Sequence, residues 1–209
     1  DETGDGSEDS PFATINKAIS SSAYTYDNGY FYADTILVHD GIYEEAINQI
    51  PESPGYTYSG VWYITSENGA NNTRIQASST SDNINTTYNY VTFNGFHFDG
   101  FRYDDYGSFS IYENCLITGS QSFSYSQCGP CYYFNSCTIV NNEFSAFANV
   151  ELNNSIIYNN PNFNGESVSI SNSLNDLGYS DNGNISGLNP LFCDPENGDY
   201  SLAANSPAV

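Results

Sequence analysis

Short runs of alternating hydrophobic and polar residues fill the second half of the chain, and five of these runs align with one another. The aligned segments are 91–98, 110–117, 132–139, 150–157 and 168–175. Their starts are separated by 19, 22, 18 and 18 residues, a period too short for most helical repeats. This spacing is typical of a β-solenoid, in which each repeat forms one coil.

Two columns of the alignment are mainly apolar and lie two residues apart, so both point to the same face of a strand. A third mostly apolar column follows a few residues later and returns to the core. The columns are Val91, Ser110, Tyr132, Val150 and Val168; Phe93, Tyr112, Phe134, Leu152 and Ile170; and Phe98, Ile117, Ile139, Ile157 and Asn175. We expect all three to line the inside of the solenoid.

Between these columns lies a position that favours a bend. It is occupied by Gly95, Asn114, Ser136, Asn154 and Asn172. Gly and Asn tolerate the left-handed backbone conformation, and stacked Asn side chains can hydrogen-bond from one coil to the next. The pattern predicts an all-β, right-handed parallel β-helix with coils about 4.8 Å apart. An antiparallel sandwich explains the alternation but not the identity of the columns.

The first part of the chain follows the same pattern less regularly. Ser10 and Pro11 predict the N-cap and first residue of a short helix that runs to Ile19 and caps the solenoid. Segments 35–38, 61–65 and 74–76 predict the first strands. We therefore expect one β-helix domain over 1–209, with a cap at 1–20, coils at 34–175 and a closing segment at 176–209.

Composition restricts the partners of this protein. The formal charge is -22 with only three basic residues, which argues against nucleic acid and against an anionic membrane surface. No apolar run approaches the roughly 20 residues that a membrane helix needs, so we expect no membrane span. Glycans, divalent cations, basic proteins and further copies of the chain remain as partners. The 39% hydrophobic content indicates an ordered protein despite the charge.

The chain contains five cysteines. Cys128 and Cys131 have the spacing of a thioredoxin-type redox pair, but their Tyr- and Ser-rich surroundings favour a structural disulfide. Cys115 and Cys137 fall in one column. They are either a bridge between coils or buried thiols, and we favour thiols because the column continues as Ser155 and Ser173.

Three stretches resemble the pectate-lyase-like superfamily of right-handed parallel β-helices, particularly its bacterial surface proteins. They are GDGSEDSPFATINKAI at 4–19, DTILVHDGIYE at 34–44 and NPLFCDPENGDYSL at 189–202. The resemblance spans nearly the whole chain and implies the fold and an extracellular or cell-surface location. It does not imply one activity, because the superfamily contains lyases, hydrolases, adhesins and passive surface proteins.

The residues around Arg102 form one candidate catalytic set. A polysaccharide lyase needs a cation and a proton carrier, and Arg102, Asp104 and Asp105 lie close to His97 in the sequence. His97 is expected to be exposed, whereas Arg74 stands alone. We favour the interpretation in which Arg102 pairs with a neighbouring Asp in a solvated loop. The β-helix polygalacturonase signatures are absent, and the adjacent Asp104 and Asp105 do not suit a glycoside hydrolase.

Calcium is the metal that the sequence favours, because Asp1, Asp5 and Asp9 supply oxygen ligands near the cap. No cofactor is required by any motif. We therefore expect a non-catalytic extracellular protein of surface structure, adhesion or self-assembly, including filament formation, with glycan as a candidate ligand. The alternative is a polysaccharide lyase or another carbohydrate-active enzyme of the superfamily.

Overall fold

The computed structural model describes residues 3–27, 30–48, 50, 60–86, 89–104, 109–123, 132–144, 149–161, 163 and 167–209. The chain is a right-handed parallel β-helix, as predicted. Its elements are α1 (Ile15–Ser21), β1 (Tyr24–Asp27), β2 (Tyr30–Ala33), β3 (Ile36–Val38), β4 (Gly41–Tyr43), β5 (Gly60–Ser66), β6 (Thr73–Gln76), β7 (Asn83–Asn85), β8 (Asn89–Asn94), β9 (His97–Asp99), β10 (Arg102–Asp104), β11 (Phe109–Glu113), β12 (Leu116–Thr118), β13 (Ser122–Phe123), β14 (Tyr132–Asn135), β15 (Thr138–Val140), β16 (Val150–Asn153), β17 (Ile156–Tyr158), β18 (Val168–Ser171), β19 (Leu174–Asn175), β20 (Ile185–Ser186), β21 (Phe192–Asp194), the 3₁₀ helix η1 (Pro195–Asn197) and β22 (Asp199–Leu202).

Three sheets run along the solenoid. Within the described residues the first sheet has the order β1-β2-β5-β8-β11-β14-β16-β18, with β3 also pairing to β5. The second has the order β20-β19-β17-β15-β12-β9-β6-β4, and the third contains β13, β10 and β7. All pairs in these sheets are parallel except the β1–β2 hairpin. Each coil thus contributes one strand to the first sheet and, after a bend, one strand to the second.

The predicted columns are in register and line the core. In the first sheet Tyr112 pairs with Phe93 on one side and with Phe134 on the other. Their rings stack at centroid distances of 5.5 and 4.9 Å. The column that ends at Asn175 is buried throughout, including Asn175 itself. The alternation of the sequence therefore identified the inner face correctly.

The five predicted bend residues all have left-handed backbone conformations. Their φ angles are +77° at Gly95, +54° at Asn114, +56° at Ser136, +51° at Asn154 and +50° at Asn172. One link joins two bend residues directly, as predicted, since the Asn154 Nδ2 donates to Ser136 Oγ at 3.1 Å. Two other bend side chains bond instead to the residue that precedes the bend in the neighbouring coil. The Asn114 Nδ2 donates to Asn94 Oδ1 at 2.9 Å, and the Asn172 Nδ2 donates to Asn153 Oδ1 at 3.1 Å.

Glycine is required at one of these bends. A Cβ at Gly95 would lie 2.5 Å from the Ser66 Oγ, which donates a hydrogen bond to the Gly95 carbonyl. We expect Gly95→Ala to lower the free energy of unfolding by about 3 kcal/mol, because the clash adds to the cost of a left-handed alanine. Gly178→Ala is the matched control, since its φ is +92° and its Cβ would meet nothing. If chemical denaturation shows the same loss in free energy of unfolding for Gly95→Ala and Gly178→Ala, the clash with Ser66 contributes nothing.

A second bend column, which the sequence pattern did not predict, follows the strands of the second sheet. Its residues with positive φ are Gly100, Gly119, Asn141 and Asn159. The next position points inward and carries Ser120, Asn142 and Asn160, all buried. The Asn142 Oδ1 accepts from the Ser120 N–H at 2.9 Å, and the Asn160 Oδ1 accepts from the Asn142 N–H at 3.0 Å. We call these three side chains the buried amide ladder.

The cysteine column forms a similar ladder at the first bend. Cys115 and Cys137 are free buried thiols, as favoured from the sequence. The Cys137 Sγ donates to the Tyr112 carbonyl at 3.2 Å, and burial raises the pKa of this thiol well above its ordinary value. The Cys137 N–H donates to Ser155 Oγ at 3.1 Å, so the thiols and hydroxyls occupy equivalent positions in successive coils.

The N-terminal helix begins later than predicted. Its N-cap is Thr14, whose Oγ1 accepts from the Lys17 N–H at 3.2 Å, and Ser10 and Pro11 precede the helix. The Glu45 carboxylate accepts from the Ile15 N–H at 2.8 Å and thus satisfies the first turn from outside the local sequence. The predicted start was wrong because this carboxylate, contributed by a distant segment, was not apparent in the sequence.

The last residues return along the solenoid. After β20 extends the second sheet by one strand, β21 and β22 form an antiparallel hairpin. The Tyr200 hydroxyl accepts from Asn141 Nδ2 at 3.0 Å, and Leu202 and Val209 line a cleft that contains Asn154 of the first bend. This hairpin covers the side of the coils and leaves β18 as the last described strand of the first sheet.

Candidate functional site

The outer face of the first sheet carries a row of half-exposed aromatic side chains. Strand alternation buries Trp62 and Phe93 and so turns their neighbours outward. Tyr32 is 42% exposed and Tyr63 is 38% exposed. We define the aromatic strip by its members, which lie on five neighbouring strands: Tyr32, Val61, Tyr63, Tyr90, Phe109, Ile111 and Tyr133.

Rings of the aromatic strip stack along the solenoid axis. Tyr90 and Phe109 are directly paired in register, with ring centroids 4.9 Å apart and planes 7° apart. Phe109 and Tyr133 are 6.4 Å apart at an angle of 26°. Stacked rings hold one another in place, so little side-chain freedom is lost when a ligand binds them.

Polar side chains border the strip on the side of the first bend. Asn94 Nδ2 donates to the Tyr63 hydroxyl at 3.1 Å and lies 3.4 Å from Thr65 Oγ1. Further along the same column lie Glu113 and Asn135. The described residues on the outer face of this sheet include no Lys or Arg. This surface combines apolar rings with amides and hydroxyls, and it offers no cation to an anionic ligand.

A second polar group lies on the outer face of the second sheet. Arg74 pairs in register with His97, and its guanidinium forms an ion pair with Asp99. Thr118 Oγ1 donates to Asp99 Oδ1 at 3.0 Å and lies 2.8 Å from His97 Nε2. The sequence predicted that Arg74 stands alone, and this prediction was wrong because Arg74 pairs with Asp99. His97 is half-buried, whereas the sequence predicted that it is exposed.

The hydrogen bonds of Thr118 determine the tautomer of His97. Because the Thr118 hydroxyl donates to Asp99, its oxygen accepts from His97, which therefore carries its proton on Nε2. Burial, followed by the positive charge of Arg74, lowers the pKa of His97 to about 4, although Asp99 opposes the shift. A neutral imidazole with so low a pKa suits a structural hydrogen bond better than proton transfer near neutral pH.

The predicted catalytic set is divided between sheets. His97 lies on β9 of the second sheet, whereas Arg102 is exposed on β10 of the third, beyond the bend at Gly100. The Asp104 side chain and Asp105 lie outside the described residues. The structure does not bring His97 and Arg102 to one face, and the arrangement expected for a lyase is not formed by them.

The predicted metal and disulfide residues are only partly described. Asp5 Oδ1 accepts from the Ser7 N–H at 3.0 Å. Hydrogen bonds from the Ser7 hydroxyl and, second, from the Ser7 N–H keep the pKa of Asp5 below its ordinary value. Asp9 is described, whereas Asp1 is not. In the described ranges no group of three or more His, Cys, Asp or Glu is placed to hold a metal ion. Cys128 and Cys131 also lie outside these ranges, so the calcium site and the disulfide stay predictions.

Comparison with known proteins returns little. No family model matches the sequence, and no curated protein matches it. Among solved structures, a pectin methylesterase in complex with a hexasaccharide is similar at 12% identity and a TM-score of 0.34. The match covers 81% of this chain and 64% of that one. A likeness this weak carries no argument about activity, and membership of the pectate-lyase-like superfamily stays a prediction.

The helical content also bears on membranes. In the part of the chain that the structure describes, no helix is long and apolar enough to cross a bilayer.

Proposed function

We propose that this protein is a non-catalytic, extracellular β-helix that binds neutral glycans through the aromatic strip and acts in surface adhesion. The observation that carries the proposal is the alignment of half-exposed rings over five neighbouring strands. Exposed aromatic residues grouped on one rigid face mark an interaction surface rather than random exposure. The bordering Asn94 and Thr65 provide donors and acceptors for sugar hydroxyls.

Charge favours neutral glycans over uronates. The outer face of the first sheet carries Glu113 and Glu151 but no described cation, and the whole chain has a formal charge of -22. A polymer of carboxylates would be repelled at low ionic strength and would find no guanidinium to pair with. The same shortage of cations supports binding rather than lyase chemistry.

Removal of rings from the strip tests this proposal. We expect Tyr63→Ala and Tyr133→Ala each to weaken binding to a soluble neutral polysaccharide by about tenfold, measured by affinity electrophoresis over a polysaccharide panel. Tyr179→Ala is the matched control, because Tyr179 is also 38% exposed but lies beyond the last strand of the first sheet. The control should bind as the unaltered protein does.

Two results would contradict the proposal. One is equal binding by all three variants, which would place the glycan elsewhere. The other is cleavage of any polysaccharide in the panel by the unaltered protein, which would establish an enzyme.

Self-assembly rests on a different feature. β18 pairs only with β16 among the described strands, and on its other edge the Ile170 carbonyl accepts from Asn184 Nδ2 at 2.8 Å. The rest of that edge is open to a further strand. The like charges of two copies oppose such contact, and the proposal of filaments therefore predicts assembly that increases with salt in electron micrographs.

A further inference from the structure

Strand β3 has one free edge at the N-terminal end of the solenoid. Val38 pairs with Ser66 of β5, and the Glu67 N–H donates to the Val38 carbonyl at 2.8 Å. In this parallel register the backbone groups of Ile36 and Val38 face β5, whereas those of Leu37 face the opposite edge. Among the described residues no strand pairs with that edge. The N–H and carbonyl of Leu37 are thus available to an added strand.

The free edge lies in a cleft of about 660 Å³. Residues 34–39 form one wall, the helix α1 and its N-cap contribute Ala18 and Thr14, and the N-terminal arm contributes Pro11 and Phe12. The Leu37 side chain is 56% exposed, which is unusual for a leucine on a strand. We call this space the N-terminal cleft.

The N-terminal cleft is acidic. Asp5, Glu8, Asp34 and Glu67 line it, and the lining residues include no Lys or Arg. His39 also lines the cleft, with its Nδ1 2.8 Å from Glu67 Oε2. Lys17 Nζ lies over the Phe12 ring, 5.9 Å from its centroid, and is outnumbered by these four carboxylates. An apolar patch bordered mainly by carboxylates fits a ligand that alternates apolar and cationic groups.

We propose that the N-terminal cleft binds an extended, basic peptide segment of a partner protein, which adds to the free edge of β3 as a further strand. The peptide backbone exchanges hydrogen bonds with Leu37, and side chains at alternate positions pack on Leu37 and Phe12. Lysine or arginine side chains between them reach Glu8 and Asp34, where charge-assisted hydrogen bonds give orientation and specificity.

A second copy of this chain fits the cleft poorly. The whole sequence has only Lys17, Arg74 and Arg102 as basic residues. Lys17 is on the capping helix, and Arg74 is already paired with Asp99. A copy that presented its β18 edge would bring acidic charge to an acidic cleft. The charge of the cleft therefore favours a basic partner.

Fluorescence anisotropy with labelled synthetic peptides tests the proposal. The probe is an octapeptide of alternating lysine and valine, compared with one of alternating proline and backbone-N-methylated lysine. Both have the same charge, but the proline peptide has no N–H at any peptide bond and cannot pair as a strand in either register. We expect the proline peptide to bind at least roughly tenfold more weakly. In hydrogen exchange, only the valine peptide should slow exchange of the Leu37 amide.

Charge variants locate the site. Glu8→Lys and Leu37→Arg should each weaken binding of the lysine–valine peptide by roughly tenfold. Glu196→Lys, which makes the same change in net charge as Glu8→Lys but lies in η1 of the C-terminal hairpin, should not. Equal binding of the two peptides, equal effects of Glu8→Lys and Glu196→Lys, or no binding of either peptide would overturn the proposal. So would sedimentation that shows a dimer lost in Leu37→Arg, because a second copy would then occupy the cleft.

Discussion

Replacement of Asn142 by leucine is expected to lower the free energy of unfolding by about 3–4 kcal/mol. Asn142 lies at the centre of the buried amide ladder and is fully buried. Its Nδ2 donates to the Ile117 and Val140 carbonyls, both at 3.1 Å, and its Oδ1 accepts from the Ser120 N–H. Leucine has a similar size but makes none of these bonds, so the Ser120 N–H is left buried without its acceptor.

The neighbouring residue provides the control. Asn141 is exposed and has a φ of +58°, a conformation that glycine adopts readily. Asn141→Gly loses only exposed side-chain contacts and should cost less than about 1 kcal/mol. Urea denaturation of both variants compares a buried with an exposed amide in the same turn. Similar losses in free energy of unfolding for Asn142→Leu and Asn141→Gly would show that the buried amide ladder contributes no more than a surface hydrogen bond.

Acidification from pH 6.5 to about 4 is expected to remove up to about 3 kcal/mol of stability through His97. Burial and Arg74 hold the pKa of His97 at about 4 in the folded protein, below its ordinary value of 6.5. In this interval the unfolded chain binds a proton that the folded chain excludes. Stability is therefore full above pH 6.5 and falls as the pH decreases, until the folded protein is also protonated near pH 4.

The effect is measured as a difference between variants, because carboxylates titrate over part of the same range. His97→Gln should lose less stability than the unaltered protein between pH 6.5 and 4 in thermal denaturation. His39→Gln is the control, since the Glu67 carboxylate raises the pKa of His39 and gives it the opposite dependence on pH. If His97→Gln and the unaltered protein lose stability in parallel, His97 does not exclude a proton in the folded state.

The inner columns could be predicted because strand alternation is a local property. Phe93 and Phe134 each stand two residues from another apolar position, and this spacing assigns both to one face whatever their neighbours are. The burial of Asn175 also followed from its column. The second bend, at Asn141 and Asn159, was available by the same reasoning, since Asn-Asn follows the apolar column in both coils. The repeat predicted from the sequence ends at the third apolar column and therefore does not include this bend.

The polar groups on the second sheet could not be predicted in the same way. Arg74 and His97 are neighbours only because β6 pairs with β9 in one register, and the early coils are too irregular to reveal that register. The predicted lyase residues are close in sequence, yet a single bend at Gly100 places His97 and Arg102 on different sheets. Closeness in sequence does not predict closeness in space in a β-helix, because the chain bends every few residues.

The sequence by itself determined the fold class, the inner face and the first bend, since side-chain alternation and tolerance of positive φ are properties of each short segment. Only the tertiary structure decided which outer residues meet. Tyr90 stacks on Phe109, and Leu37 faces an acidic cleft, because register and end-capping bring distant segments together. Outer positions are not constrained by the core, so their partners depend on long-range pairing that no local pattern records.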